Sequence, residues 1–339
     1  MYDLIKHFLF YLDEEKSHNL TLGTLKLAHQ LGLTRFIKSP AASPCNFMGI
    51  NFPNRIGLAA GLDKNADYID ALAALGFGFI EVGTVTPKPQ PGNPKPRLFR
   101  LPKHEALINR MGFNNKGCDY VAERLHQTAY KGVIGVNIGK NRDTSIDNAL
   151  EDYVYGFRTL APYASYVTVN ISSPNTESLR ALQQGDLLRD LIRGLKAEQA
   201  QLAQQKKYIP LVVKIAPDLT PGDVEAIASI LLTEKVDGVI ATNTTISRVG
   251  LDHVSHANET GGLSGKPLAT YSTAIIQQLA TLLQDKIPII ASGGIVSASE
   301  AATKYTAGAS LIQLYTGLIY HGPHLIQDCA KLKPPTSQT

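Results

Sequence analysis

From residue 51 onward, short apolar stretches rich in β-branched residues alternate with longer segments whose apolar positions recur at helical spacing. The short stretches stand at 56–61, 78–83, 133–139, 166–170, 210–216, 236–242, 288–293 and 310–315. Many are continuously apolar, which is the character of strands covered on both faces. Between them, 66–75, 186–203, 223–232 and 270–283 have helical length and pattern. About eight strand-then-helix units in this length predict an α/β fold, the TIM (β/α)8 barrel. The alternative is an open doubly wound sheet, which would announce itself by G-x-G-x-x-G after its first strand; none is present.

Residues 1–40 follow a different pattern and predict a small N-terminal α-helical domain ahead of a barrel domain at 41–339. In the stretch from Leu4 to Leu12, apolar residues recur at i, i+4 and i+8. Asp13, Glu14 and Glu15 then predict the start of a second helix, with Leu20, Leu27 and Leu31 on one stripe and Leu22 and Leu25 beside it. Gly32 and Pro40 close it. Such a hairpin either packs on its neighbour or offers an apolar patch to a membrane surface. Phe8, Leu9, Phe10 and Tyr11 in succession cannot all face one core, which favours a surface with two apolar contacts.

Composition narrows the class but not the chemistry. With 44% hydrophobic and 18% charged residues in 339, the chain is that of a soluble globular protein. A net charge of +4 is too small to argue for nucleic acid. The basic run from Lys95 to Arg100 lacks a wider basic face or interleaved aromatics, so no nucleic acid is expected there either. Cys45, Cys118 and Cys329 lack metal-ligand spacing; no metal, cluster or disulfide framework is expected, and a reducing compartment is. No signal-type leader is evident, and no apolar run approaches the roughly 18 residues of a membrane span. The expectation is a protein neither secreted nor spanning.

In a barrel of this kind the chemistry collects where the strands end. Those ends carry Lys64, Thr84, Asn137, Asn170, Lys214, then Thr242 with Asn243 and Thr244, Gly293-Gly294, and Tyr315-Thr316. Any one of them would serve as a turn residue. Together, as lysines, carboxamides and hydroxyls without a carboxylate cluster or histidine pair, they suit a planar, anionic, hydrogen-bonding ligand rather than a metal. The stretch 170–176, Asn-Ile-Ser-Ser-Pro-Asn-Thr, holds more hydrogen-bonding side chains than a turn requires. The loops after strands seven and eight, Ser292-Gly293-Gly294-Ile295 and Tyr315-Thr316-Gly317, stand where this fold cradles phosphate. Lys214 is read either as a fixed charge beside a cofactor ring or as a lysine snorkelling to water. Two long connections, 84–117 and 244–267, break the regular spacing. The second ends in Gly261-Gly262-Leu263-Ser264-Gly265, expected to hinge an active-site lid.

Taken together, Ala60-Gly61-Leu62-Asp63-Lys64, Glu81-Val82-Gly83-Thr84-Val85-Thr86, Asn109-Arg110-Met111-Gly112-Phe113-Asn114, residues 170–176, Lys214-Ile215-Ala216-Pro217-Asp218, Thr242-Asn243-Thr244-Thr245 and 261–265 resemble the class 2, quinone-dependent dihydroorotate dehydrogenases. The resemblance runs over nearly the whole chain. It implies oxidation of (S)-dihydroorotate to orotate in pyrimidine synthesis, with FMN as hydride acceptor and a membrane quinone as final acceptor. By that likeness Ser173 is the catalytic base, and Thr176 and Phe113 frame a water-mediated proton exit. Implied substrate contacts are Lys64, Asn109, Arg110, Met111, Gly112, Phe113, Asn170, Asn175, Asn243 and Thr244. Implied FMN contacts are Ala60, Gly61, Leu62, Asp63, Lys64, Thr84, Asn137, Asn170, Lys214, Thr242, Gly265, Gly294, Tyr315 and Thr316. The N-terminal helices resemble a quinone tunnel, with His18, Arg100 and Tyr315 near its inner end. Lys6, Lys26, Arg35 and Lys38 would meet anionic headgroups. The implied state is a monomer, peripheral to the cytoplasmic face of the bacterial inner membrane. Two other readings stay open beside it: a soluble FMN oxidoreductase acting on another pyrimidine, and a non-enzymatic membrane-peripheral barrel.

Overall fold

Each of the eight apolar stretches coincides with one barrel strand, the second running two residues past it: β1 (Ile56–Leu58), β2 (Phe79–Val85), β3 (Val133–Ile138), β4 (Tyr166–Asn170), β5 (Leu211–Ile215), β6 (Gly238–Ala241), β7 (Ile289–Ser292) and β8 (Leu311–Leu314). All neighbours are parallel and in chain order, and β8 pairs with β1 to close the ring. The computed structural model describes residues 2–205 and 207–333; Met1, Lys206, 334–339 and the Leu4 side chain of the first apolar stripe lie outside the described residues.

The strands read as continuously apolar because alternate residues enter two different apolar environments. Outward side chains such as Val167, Val169, Val213, Ile215, Ile312 and Leu314 join the layer of surrounding helices. Inward ones, Phe79, Val133, Tyr166, Val212, Ile240, Ile290 and Leu311, form a floor with Phe52. Phe52 comes from an antiparallel hairpin, Cys45–Phe47 with Ile50–Phe52, and meets the Phe79 ring edge-on at 5.3 Å. Two residues further up the same inward faces the lining turns polar, with Glu81 on β2, Thr168 on β4, Lys214 on β5 and Gln313 on β8, all buried. Apolar floor and polar upper storey thus follow from strand periodicity alone.

Four expected helices form at Ile69–Ala73, Gly185–Gln205, Pro221–Thr233 and Ala269–Leu283. Cys118–Gln127, Ala149–Leu160 and Ala298–Thr306 complete the outer layer.

At the N-terminus, α1 (Tyr2–Leu9) and α2 (Glu14–Gln30) form the expected helical hairpin. Asp13 caps α2 by accepting from Lys16 N at 2.9 Å, and Gly32 leaves it with a left-handed φ of 74°. On α1, Tyr2 donates to Ile319 O at 2.6 Å and Lys6 to Tyr320 O at 3.0 Å. Phe10 meets the Tyr320 ring edge-on. On α2, Leu22 and Leu25 turn inward while Leu20, Leu27 and Leu31 are exposed, so the two stripes divide between barrel and solvent.

The long connections build a second, three-stranded sheet from Leu98–Leu101, Ala106–Asn109 and Gly262–Gly265. The glycine-rich stretch expected to hinge a lid is therefore a paired strand: Gly262 to Gly265 run antiparallel to Asn109 to Ala106. Its glycine permits close approach, since a Cβ on Gly262 would stand 1.9 Å from Thr244 Oγ1. Two arginines of this sheet hold the helical hairpin. Arg97 pairs with both carboxylate oxygens of Glu15 at 3.1 and 2.8 Å. Arg100 lies over the Phe10 ring and donates to the carbonyls of Leu9 and Leu12.

Candidate active site

At the C-terminal ends of the strands, between barrel, second sheet and α2, lies a cavity of about 380 Å³. Its wall brings together Ala60, Gly61, Leu62, Lys64, Thr84, Asn109, Met111, Gly112, Phe113, Asn170, Ser173, Asn175, Lys214, Thr242, Asn243, Thr244, Gly265, Gly294, Tyr315 and Thr316. His18 of α2 also lines it.

Five residues singled out in the sequence stand differently. Arg110 points away: it donates to Glu259 Oε2 at 2.6 Å and to Pro96 O at 2.9 Å, with the Phe99 ring beneath it. Arg100 is engaged with α1 and the turn after it, as described, and is not on the wall. Thr176 is not on the wall either; its carbonyl accepts from Leu179 N at the turn leading to the next helix. Asn137 sits one layer behind Thr84, whose hydroxyl donates to Asn137 Oδ1 at 2.6 Å. Asp63 is on the wall, but its carboxylate accepts from the backbone N–H groups of Asn65, Asp67 and Tyr68. Burial pushes that carboxyl up to about 6, with the backbone bonds opposing. Its work is to shape the loop that carries Lys64.

Ser173 is buried, and its Oγ accepts from Asn175 N at 3.2 Å. Among the described residues no carboxylate or imidazole touches that hydroxyl. Around it the carboxamides bind one another: Asn175 Nδ2 donates to Asn109 O and Oδ1 at 3.0 and 3.2 Å, and Asn243 Nδ2 donates to Asn170 Oδ1 at 3.2 Å. From Asn170 a chain runs down the barrel. Asn170 Nδ2 donates to Thr84 Oγ1 at 2.8 Å, Thr84 to Asn137, and Asn137 Nδ2 to Glu81 Oε1 at 2.8 Å. Thr84 stands at the register shift between β2 and β3, an irregularity that re-aims a side chain.

Glu81 ends this chain and was not singled out in the sequence. Its other oxygen accepts from Tyr166 OH at 2.9 Å, Thr168 Oγ1 at 3.2 Å and Gln313 Nε2 at 2.7 Å. The signal was available: a lone carboxylate two residues above Phe79 on an inward face cannot be a surface charge. Replacing Glu81 with leucine strands four buried donors and removes the nearest counter-charge to Lys214. A loss of about 3–5 kcal/mol is expected, read as an earlier chemical-denaturation midpoint. A midpoint within error of wild type would contradict this account of the barrel interior.

Three lysines line the cavity, and one of them, Lys116, is paired with Asp67 at 3.1 Å. Lys214 is buried, has no hydrogen-bond partner among the described residues, and is pulled down from the usual lysine range by burial, with Glu81 opposing. Its snorkelling alternative fails, because the side chain does not reach bulk water. Lys64 donates to Gly61 O at 2.8 Å, and burial lowers it to about 8 against the pull of Glu15. Burial and then the Lys64 charge press the His18 imidazole down to about 3, so it is neutral near pH 7. Gln313, also on the wall, gives its amide N–H to Glu81 and leaves a buried Oε1 without a partner among the described residues. At the far end, Gly294 has a φ of 76°, and a Cβ there would stand 2.2 Å from Ala269 Cα. Bare backbone therefore faces the cavity at the start of helix Ala269–Leu283, a setting for an anion. Lys64 and Lys214, outside any ion pair among the described residues, with an unpartnered acceptor and a backbone cradle, together fit a planar anionic cofactor with a phosphate arm.

The sequence pattern of the family described as dihydroorotate dehydrogenase matches residues 44–332. The chain is 57% identical over 332 residues to a dihydroorotate dehydrogenase (quinone) of Nitrosomonas eutropha, covering 98% of this chain and 97% of the relative. It is 54% identical to the protein of the same name from Acinetobacter baylyi, covering 97% and 98%. Among solved structures it is similar to the Eimeria tenella dihydroorotate dehydrogenase in complex with ferulenol. There the TM-score is 0.84 at 39% identity, over 94% of this chain and 90% of that one.

Proposed function

The chain belongs to the dihydroorotate dehydrogenase family and oxidises dihydroorotate with a quinone as final acceptor, and we propose that it does so with FMN in the strand-end cavity and Ser173 as the base. The family places the reaction in pyrimidine biosynthesis. The observation that carries the finer reading is the sharing of one cavity by Ser173, Lys64, Lys214 and the carboxamides of Asn109, Asn170, Asn175 and Asn243. FMN, when bound, supplies a hydride acceptor that passes electrons on to quinone.

The chain's own residues do the rest. Ser173 Oγ takes the C5 proton of the substrate as hydride leaves C6. A hydroxyl is a weak base near neutrality, so its own proton must leave as it acts. With no carboxylate or imidazole at hand, the exit is by water past Phe113, which lines the cavity with a left-handed φ of 53°. The four carboxamides, now bonded to one another, exchange those bonds for the alternating N–H and C=O edge of the pyrimidine. Lys214 would hold positive charge toward a bound flavin, and Gln313 Oε1 would offer that flavin an acceptor. Gly265, Gly294 and Thr316, on the cavity wall, would hold its phosphate end.

Lys64 is assigned to the substrate carboxylate, and this gives a pH dependence with a definite sign. The ammonium is present below about 8 and is lost as pH rises through that value. Orotate affinity is therefore expected to hold near pH 7 and to weaken as pH is raised toward 9, by up to roughly tenfold per unit beyond the transition. Lys64→Gln should bind weakly at every pH. A wild-type profile flat through this range, measured by orotate titration, would remove Lys64 from that role.

Among the described residues no helix is long and apolar enough to cross a membrane. Among the described residues, eight of the fourteen exposed large hydrophobic side chains nevertheless lie between Ile5 and Phe36, with Tyr11 78% and Phe36 75% exposed. That concentration supports peripheral docking of the helical hairpin on a membrane, with His18, on the cavity side of α2, at the quinone entry.

The reading is tested by anaerobic mixing with dihydroorotate: the flavin absorbance should bleach and return when a quinone is added. Protein that carries no flavin, or whose colour survives excess dihydroorotate, would overturn it.

A further inference from the structure

Lys304 is a buried cation that the chemistry above does not use. It lies on helix Ala298–Thr306 after β7 and is 1% exposed. Its ammonium protons go to three neutral oxygens, Ala269 O at 2.8 Å, Ser272 Oγ at 2.6 Å and Thr273 Oγ1 at 2.6 Å. Glu300, one turn earlier on its helix, accepts instead from Val296 N at 2.7 Å and from Ser297 Oγ. A cation stripped of water among neutral acceptors is costly, and burial accordingly lowers Lys304 to about 8.

The acceptors that hold Lys304 form the back of the phosphate cradle. Ser272 Oγ, which accepts from Lys304, stands 2.9 Å from Gly293 O and donates to it. Ala269, whose carbonyl accepts from Lys304, is the residue against which Gly294 packs. Gly293 and Gly294 line the cavity. Lys304 is thus two hydrogen bonds from the glycine turn and beneath the first turn of helix Ala269–Leu283, so its field adds to that of the helix start.

We propose that Lys304 is a positioning residue that supplies the buried counter-charge for the phosphate of the cofactor, acting through Ser272 and the first turn of that helix. This rests on the FMN reading, and the phosphate separates the two in experiment. Full-length protein stripped of flavin is titrated with FMN and with riboflavin, which lacks the phosphate, and flavin fluorescence is followed. Wild type is expected to prefer FMN. Lys304→Met should lose on the order of tenfold or more in FMN affinity with riboflavin affinity unchanged. Equal losses for both flavins would make Lys304 a packing residue and overturn the proposal, as would an unchanged FMN affinity. Wild type that binds neither flavin, or both alike, would instead overturn the FMN reading. If Lys304→Met does not fold, Lys304→Gln decides in the same way, since it keeps a polar N–H donor group at that position while removing the charge.

Discussion

Ser173→Ala is expected to keep its flavin and its affinity for orotate while losing roughly 10²–10⁴-fold in the rate of flavin reduction by dihydroorotate. The size follows from what the substitution removes. Ser173 Oγ carries one internal bond, from Asn175 N, so its loss leaves the carboxamide ring around the cavity in place. Binding of a product that is already oxidised uses those carboxamides and Lys64, not the base. Only the proton transfer in the transition state is lost. Stopped-flow bleaching under anaerobic conditions measures it directly, and bleaching near the wild-type rate would remove Ser173 from the mechanism. Ser173→Cys provides a second reading, because a thiol titrates near 8.5, far below a hydroxyl. Its reduction rate should therefore rise with pH over a range where wild type does not follow the same curve.

The barrel was legible because its strands are buried on both faces and so carry runs of apolar, β-branched residues that surface segments lack. Ends drifted by up to three residues, as with 56–61 against Ile56–Leu58 and 236–242 against Gly238–Ala241, since the turn residues that close a strand look like those that begin the next loop. The hairpin at 45–52 was not legible, because its two strands have three residues each and show no alternation worth the name. Strand-end residues were read well since this fold gathers them in one place whatever their identity. What sequence could not convey was direction. Arg110 sits between Asn109 and Met111, both on the wall, yet its side chain leaves toward Glu259 because neighbours in an extended segment face opposite ways. Thr176 lies one residue beyond Asn175 and belongs to the next turn, not to the cavity. The 261–265 glycines looked like a hinge, but the pairing of a strand is a property of its distant partner, here 106–109. Glu81 was read only as part of a motif and given no role, because it sits inside an otherwise apolar strand, where pattern reading averages it away.

Removing residues 1–39 is expected to spare flavin reduction by dihydroorotate and to collapse reoxidation by a long-tailed quinone, together with binding to lipid vesicles. Barrel and cavity floor begin after that point, and the base, carboxamides and both lysines all lie beyond it. The hairpin, by contrast, contributes Glu15, His18 and Asn19 to the cavity's outer wall and carries the exposed apolar face. Truncation also strands Arg97 and Arg100, which are paired with α2 in the intact chain, so some loss of stability would accompany it. A surface variant separates the two effects. Phe8→Ser, Tyr11→Ser and Phe36→Ser together alter only exposed side chains and leave the Arg97–Glu15 pair and the docking of Tyr2 untouched. Burying three such side chains in lipid is worth about 1.5–3 kcal/mol each, so vesicle binding should fall by several orders of magnitude while a water-soluble short-chain quinone still reoxidises the flavin at the original rate. Vesicle binding unchanged in that variant would show that the exposed face is not how this protein meets the membrane.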